Sequence, residues 1–245
     1  MAPSSNSSLA DNPRSRVGAI VVAAGESRRM GDIDKIFLEL GGEPLILRSL
    51  SVLQACHSVT DIVLVTSESR LSIARTLVAC HGLTKVSSVC AGGKRRQDSV
   101  RKGLDALNDC EWVIVQDGAR PFIQPHIVEF GLLEARRTGA AVAAVPVKDT
   151  IKTADAQGHV VATIPREGLW ITQTPQVFRR ELLQQAHAEV SDDVTDDAAM
   201  VERIGVKVKL FAGSYSNIKV TTPEDLPVAE AIFRSLSEAL PEAAP

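Results

Sequence analysis

The sequence predicts an α/β fold: a Rossmann-like, mostly parallel sheet with helices on both faces and a projecting β-hairpin arm. Two observations indicate the sheet: the chain contains short apolar runs rich in Val and Ile, and segments of helical periodicity lie between them. This alternation is typical of parallel strands that are covered on both faces. A third observation indicates the arm, because the alternation breaks at two short extended segments joined by a turn at Gln157 and Gly158.

The first half of the chain supplies most of the predicted sheet. A helix there carries Val100, Leu104 and Leu107 on one face, and another begins at Pro125 and ends at Gly139. Five apolar runs are predicted to be buried strands: Val17–Ala23, 61–66, Val86–Ala91, 112–116 and Ala140–Pro146. The carboxyl ends of parallel strands share one edge of a sheet, so we expect three loops to converge on one crevice: 24–35, 92–99 and 117–122.

The arm is predicted over residues 149–173, with extended segments at 150–153 and 159–164. A two-stranded hairpin is only marginally stable alone, so we expect it to pack against a second copy of the chain. Beyond the arm, Thr222 is the expected N-cap of the last helix, with Pro223 at its first position. The segments before it are predicted as two helices and a strand: 179–189, 196–204 and 207–212.

Composition limits the possible partners. The chain has 245 residues, of which 44% are hydrophobic and 23% charged, as in ordinary soluble globular proteins. Its net charge of −3 favours neither nucleic acid nor an anionic membrane, and no run approaches the roughly 20 apolar residues that cross a bilayer. We expect one domain over residues 17–240, since there is no internal repeat or linker.

The tail and the cysteines indicate a cytoplasmic protein. Residues 1–16 are rich in Ser, Asn and Pro and lack the apolar core of a secretory signal, so we expect a disordered tail. The four cysteines form no C-x-x-C pair and lie at no zinc-like spacing from histidine. They are expected to be reduced thiols.

The turn after the first strand is a candidate phosphate site. Ala23, Ala24 and Gly25 form a small-residue turn that lets backbone amides approach a ligand, and Arg29 and Lys35 follow. Amides orient phosphates and fixed cations neutralise them. Neither G-x-x-x-x-G-K-[ST] nor G-x-G-x-x-G is present. The alternative is an ordinary exposed turn with a basic face.

Two further turns carry candidate residues. Gly93 opens a glycine turn that leads into a helix, where Ser99 and the helix amides could bind a base or ribose. Asp117 follows a strand directly and could bind Mg²⁺ or accept substrate hydroxyls, with Arg120 close behind. Lys219 could reach a phosphate. The alternatives are a surface ion pair for Asp117 and Arg120, and a solvated face for the nearby cations Lys94, Arg95 and Arg96.

The sequence gives little support to a metal cluster or to catalysis by a histidine base or a nucleophilic serine. The acids at 192, 193, 196 and 197 fit the first turn of a helix, where the helix dipole stabilises them without a metal ion. The five histidines form no pair at ligand spacing, and no Ser–His–Asp arrangement is visible. The sequence therefore predicts a site that acts through cations and positioning.

With these residues in view, residues 17–232 resemble the 2-C-methyl-D-erythritol 4-phosphate cytidylyltransferases of the non-mevalonate isoprenoid pathway. Each motif is weak alone, but their order together is specific. The matching motifs are Ala23-Ala24-Gly25, Arg28-Arg29-Met30, Lys35, Gly92-Gly93, Asp98-Ser99-Val100, Asp117-Gly118-Ala119-Arg120-Pro121, Val145-Pro146-Val147-Lys148-Asp149-Thr150, Arg166 before Gly168-Leu169-Trp170, Thr174-Pro175-Gln176, and Asn217-Ile218-Lys219-Val220-Thr221.

The resemblance implies that CMP passes from CTP to 2-C-methyl-D-erythritol 4-phosphate, with release of pyrophosphate and a requirement for Mg²⁺. It implies that Arg29 and Lys35 stabilise the transition state. It further implies a homodimer with arm exchange, in which Thr150 and Arg166 reach the substrate of the other subunit. The implied CTP-binding positions are Ala23, Ala24, Gly25, Gly93 and Ser99, and those for substrate, nucleotide or metal are Asp117, Arg120 and Lys219.

Two alternatives stay open at this point. A ribitol-5-phosphate cytidylyltransferase would share the CTP half, although the segment from Thr150 to Arg166 matches the methylerythritol enzymes better. A non-catalytic CTP sensor would bind nucleotide without needing several cations around a breaking bond.

Overall fold

The computed structural model describes residues 16–25 and 38–238, so the predicted tail lies outside the described residues apart from Arg16. The described strands and helices follow in chain order: β1 (Val17–Ala23), β2 (Glu39–Leu40), β3 (Glu43–Pro44), α1 (Leu45–Ala55), β4 (Val59–Thr66), α2 (Leu71–Cys80), β5 (Val86–Ala91), α3 (Arg96–Ala106), β6 (Trp112–Asp117), α4 (Pro125–Thr138), β7 (Ala140–Pro146), β8 (Ile151–Ala154), β9 (Val160–Ile164), β10 (Trp170–Arg179), α5 (Arg180–Glu189), α6 (Asp197–Arg203), β11 (Lys209–Ala212) and α7 (Asp225–Glu238).

Seven strands form one sheet in the order β11–β7–β10–β6–β1–β4–β5. Neighbouring strands are parallel except at β10, which runs antiparallel to both β6 and β7. The prediction of a mostly parallel sheet is confirmed, and each of the five predicted apolar runs lies in a strand.

Strand β10 was not predicted. Its middle is polar, with Gln173, Thr174 and Gln176 around Pro175, and proline within a run argues against a central strand. The pairing of β10 with β7 shifts register between Thr172 and Gln176, so Pro175 lies at an irregularity that tolerates the missing amide donor.

Helices cover both faces of the sheet, as predicted. Along β1, Val17, Ala19 and Val21 pack into the core that includes buried side chains of α1, α2 and α4. Ile20 points to the opposite core, which contains side chains of α3, α5 and α6. A strand buried on both faces must be apolar at successive positions, which explains the unbroken hydrophobic run of β1.

Two helix boundaries show how far local signals reach. Helix α4 begins at Pro125 and is closed by Gly139 with φ 87°, as the sequence predicts. Helix α7 begins at Asp225 rather than after Thr222. The Asp225 carboxylate accepts hydrogen bonds from the backbone amides of Thr221 and Thr222 at 2.7 and 2.9 Å, which holds the preceding turn outside the helix.

The predicted hairpin is present as a separate two-stranded sheet, in which β8 and β9 pair antiparallel. Asp155 closes its turn by accepting hydrogen bonds from the amides of Gln157 at 3.0 Å and His159 at 2.8 Å. Val160 and Val161 are 62% and 68% exposed on it. Its role as a dimerisation arm stays a prediction.

Cys56, Cys80, Cys90 and Cys110 are all free thiols. Burial, with Glu129 nearby, raises the pKa of Cys56 to about 11, so this thiol stays protonated at neutral pH. Within the described ranges, no helix combines the length and apolar character that a membrane span requires.

Candidate active site

A cleft opens at the sheet edge where β1, β5 and β6 end, as expected for an open parallel sheet. The described part of the first loop meets the loops that follow β5 and β6, and the 217–220 segment closes one side. The side chains and turns that line the cleft are Val22, Ala23, Ala24, Gly25, Ser67, Glu68, Gly92, Gly93, Lys94, Arg95, Arg96, Ser99, Lys102, Asp117, Ala119 and Lys219.

The glycine turn after β5 packs closely on the first loop. A Cβ atom at Gly92 would collide with the Cβ of Ala24, so only glycine permits this approach. The Gly93 amide donates a hydrogen bond to Oγ of Ser99 at 3.1 Å, and that hydroxyl donates to the Arg95 carbonyl at 3.2 Å. Ser99 therefore fixes the turn, and contact of its hydroxyl with a nucleotide stays a prediction.

Asp117, the last residue of β6, lies at the centre of a cation cluster. Its Oδ2 lies 2.8 Å from Nζ of Lys219 and 3.6 Å from Nε of Arg120. Its Oδ1 lies 3.3 Å from Nε of Arg96. We call Asp117, Arg96, Arg120 and Lys219 the Asp117 cluster. Three of its members, Asp117, Arg120 and Lys219, were predicted from the sequence as site residues, and the structure brings them together.

The charges in this cluster control the protonation of Asp117. Burial by itself raises the pKa of the carboxyl, but Arg96, Lys219 and Arg120 outweigh it and hold the pKa well below its usual range. Burial lowers the pKa of Arg120, and Asp117 opposes that shift. Asp117 is therefore a carboxylate at neutral pH.

Arg96 was not predicted as a site residue, only weighed as part of a basic face. Its Nη1 lies 2.6 Å from Oδ2 of Asp197, so it bridges Asp197 and Asp117. Burial opposes its charge, but the two carboxylates raise its pKa above the ordinary arginine value. The sequence did contain a signal for this pairing. Arg96 lies at the start of helix α3, where a cation is unfavourable unless an acidic side chain pairs with it.

The segment that carries Lys219 is anchored beside Asp117 by three hydrogen bonds. Arg120 donates to the Asn217 carbonyl at 2.7 Å, and the Val220 amide donates to the Ala119 carbonyl at 2.9 Å. The Asn217 side chain, fully buried, donates to the Thr174 carbonyl of β10 at 2.9 Å. The unpredicted strand β10 thus helps to position a predicted site residue.

Four predicted site residues remain, two outside the described residues and two on the arm. Arg29 and Lys35 lie outside the described residues. Thr150 and Arg166 lie on the arm, where Arg166 donates a hydrogen bond to the Lys148 carbonyl, and neither lines the cleft of its own chain.

Of the four acids predicted to lie in the first turn of a helix, Asp196 is the N-cap of α6 and Asp197 its first residue, whereas Asp192 and Asp193 precede the helix. Asp196 caps the helix by accepting a hydrogen bond from the Ala199 amide at 2.9 Å. Asp192 and Asp193 are exposed, whereas Asp197 is buried against Arg96. Among residues 16–25 and 38–238, no group of three or more His, Cys, Asp or Glu side chains could hold a metal ion.

Comparisons of sequence and of structure with known proteins point to one family. A family model described as 2-C-methyl-D-erythritol 4-phosphate cytidylyltransferase matches residues 17–235. The protein of that name from Dehalococcoides mccartyi is 50% identical over 219 residues, which span 89% of this chain and 96% of the relative. The one from Geobacillus kaustophilus is 48% identical over 221 residues, or 89% of this chain and 96% of the relative.

Solved structures are similar as well. The 4-diphosphocytidyl-2C-methyl-D-erythritol synthase of Anaerococcus prevotii superposes with a TM-score of 0.79 at 29% identity, covering 90% of this chain and 96% of that one. The 2-C-methyl-D-erythritol 4-phosphate cytidylyltransferase of Thermus thermophilus gives a TM-score of 0.74 at 31% identity, covering 89% and 99%.

Proposed function

The chain belongs to the 2-C-methyl-D-erythritol 4-phosphate cytidylyltransferase family, and we propose that the cleft around Asp117 is its active site. The enzyme transfers CMP from CTP to 2-C-methyl-D-erythritol 4-phosphate, giving 4-diphosphocytidyl-2-C-methyl-D-erythritol and pyrophosphate. The observation that supports the site is the Asp117 cluster, in which three cations surround one buried carboxylate at the edge where parallel strands end.

The reaction builds up charge that these cations can stabilise. An oxygen of the substrate phosphate attacks the α-phosphorus of CTP, and the bond from this phosphorus to the oxygen that bridges to the β-phosphate breaks. Negative charge then grows on the departing pyrophosphate, and prepositioned cations lower the energy of that transition state. We assign this role to Arg29, Lys35 and Lys219, with Asp117 holding the Lys219 ammonium group in place.

The nucleotide is proposed to lie along the two small-residue turns. Ala23, Ala24, Gly25 and Gly93 present backbone rather than bulky side chains to the cleft, so CTP can approach the main chain closely. Ser99 supports the second turn. Asp117 and Arg120, beside Lys219, are assigned to the substrate and phosphate side.

Magnesium is proposed to enter with the nucleotide. Both carboxylate oxygens of Asp117 already contact cations, and no described cluster supplies several oxygen ligands. Mg²⁺ in nucleotide enzymes is commonly held by substrate phosphates with one or two carboxylates. The residues present therefore fit a metal ion bound mainly by CTP phosphates, with Asp117 as the nearby protein carboxylate. Such an ion would neutralise phosphate charge.

The arm is proposed to exchange between two subunits of a cytoplasmic homodimer. Val160, Val161, Trp170 and Ile171 are large apolar side chains that are 42–68% exposed on or beside the arm, and a partner surface would bury them. Arg166 and Thr150 would then complete the site of the other subunit, where Arg166 would contact the methylerythritol substrate.

A coupled pyrophosphate assay tests the reaction. We expect release only when CTP, 2-C-methyl-D-erythritol 4-phosphate and Mg²⁺ are all present, and little release with ATP, GTP or UTP. Ribitol 5-phosphate is the critical competitor, and faster turnover of it would overturn the substrate assignment. Binding of CTP without any pyrophosphate release would indicate a sensor instead.

A further inference from the structure

Asp197 is a buried acid with a strong partner inside the site. It is the first residue of α6, its side chain is 1% exposed, and its Oδ2 accepts the 2.6 Å contact from Arg96. Unlike Arg96, it does not line the cleft. A carboxylate this buried is costly to desolvate unless it is paired. Its pairing with a cleft residue therefore calls for a reason beyond capping the helix, which Asp196 already does.

The pair fixes the orientation of Arg96. The guanidinium contacts Asp197 through Nη1 and Asp117 through Nε. A planar guanidinium that contacts two carboxylates through different nitrogens cannot rotate without losing one contact. The Asp117 cluster together with Asp197 contains three cations and two carboxylates, so its net charge is +1. Asp197 fixes the position of one of these cations, Arg96.

The residues around Asp197 are held by buried side chains from two other elements. Gln176 of β10 donates to Asp196 at 2.9 Å and accepts from the Ala198 amide at 3.1 Å. Gln97 of α3 donates to the Asp192 carbonyl at 3.0 Å and accepts from the Val194 amide at 3.2 Å. These bonds secure the chain on both sides of Asp197.

We infer that Asp197 is a positioning residue for nucleotidyl transfer, which fixes Arg96 against Asp117 beside the place where the CTP phosphates bind. The inference rests on the proposed function of the cleft. A fixed cation stabilises transition-state charge without having to reorganise, whereas a mobile one can follow the ground-state phosphates equally well. Loss of Asp197 should therefore reduce kcat more than it changes the KM for CTP.

The test compares Asp197→Asn with Asp197→Glu and with Asp193→Asn. Asp193 undergoes the same charge change in the same segment, but its side chain is 79% exposed. We expect Asp197→Asn to lower kcat by roughly 10–100-fold, by analogy with the cost of losing an outer partner that orients a metal ligand, with the KM for CTP within about threefold. Asp197→Glu should recover part of the loss, and Asp193→Asn should match the wild type.

A double-mutant cycle separates positioning from a general structural role. If Asp197 acts through Arg96, the Arg96→Ala/Asp197→Asn enzyme has the kcat of Arg96→Ala alone. Losses that multiply, or a kcat of Asp197→Asn within twofold of wild type, overturn the inference. If Asp197→Asn does not unfold cooperatively, Arg96→Lys is tested in its place. Lysine keeps the positive charge but cannot contact two carboxylates through separate guanidinium nitrogens. Wild-type kcat in Arg96→Lys then overturns the inference, whereas an inactive wild-type enzyme contradicts the proposed function itself.

Discussion

Replacing Asp117 by asparagine should destabilise the free enzyme and make it more responsive to anions. The substitution keeps the shape of the side chain but removes the charge that faces Arg96, Arg120 and Lys219. Three cations are then left near one another without the Asp117 charge, although Arg96 keeps its contact with Asp197. Pyrophosphate supplies the missing negative charge, so it should stabilise the variant more than the wild type.

The magnitude follows from how buried the partners are. Removing one member of a buried ion pair costs about 3–5 kcal/mol. The side chains of Arg96 and Lys219 are 25% and 36% exposed, so water solvates part of the charge left behind. We therefore expect the lower end, about 3 kcal/mol. For a chain of this size, that corresponds to a fall in Tm of about 6–12 °C.

Thermal unfolding followed by circular dichroism, with and without saturating pyrophosphate, measures both effects. Asp193→Asn is the matched control, since its pair with Arg95 is 3.7 Å long and mostly exposed. A pair of that kind contributes about 1 kcal/mol at most. The reasoning is refuted if Asp117→Asn unfolds at the temperature of the control, or if pyrophosphate raises both Tm values equally.

Three further predictions concern the loop, the arm and a buried thiol. Arg29→Ala or Lys35→Ala should lower kcat by roughly 10²–10³, and near-normal pyrophosphate release from a correctly folded variant would reject their role. Mixing Lys35→Ala with Arg166→Ala subunits should restore activity, because each mixed dimer regains one intact site; no recovery would mean that the arm serves its own subunit. The raised pKa of Cys56 stabilises the folded state fully below the thiol's unfolded pKa, and that stabilisation is lost as pH rises towards about 11. The stability advantage of wild type over Cys56→Ala should thus shrink between about pH 8, just below the pKa of a free thiol, and about pH 11. Urea titrations at both pH values measure it, and an unchanged advantage would contradict the prediction.

Most of the sheet could be predicted because burial on both faces leaves a local mark. The runs in β1 and β7 are apolar at nearly every position, so they are recognisable without any partner strand. Strand β10 is different. Gln173, Thr174 and Gln176 are buried in it, but their burial depends on β6 and β7 on either side and on hydrogen bonds to distant segments.

The candidate site likewise contains residues that could be predicted from the sequence and residues that could not. Asp117 and Gly93 could be predicted because Asp117 ends β6 and Gly93 lies two residues after β5, and the ends of parallel strands converge. Arg96 differs from Lys94 and Arg95 in the sequence only by its place at the start of a helix, where a cation needs a partner, and the sequence does not say which residue that partner is. What distinguishes Arg96 is Asp197, a residue 101 positions further along the chain.

The sequence by itself determined which segments are buried strands and at which edge their loops meet, because apolar periodicity and strand ends are local properties of the chain. Only the tertiary structure decided that β10 enters the sheet antiparallel and that Arg96 joins Asp117 and Asp197. The physical reason is that a polar or charged group becomes stable in a protein interior only with its partner, and here the partners come from distant parts of the chain.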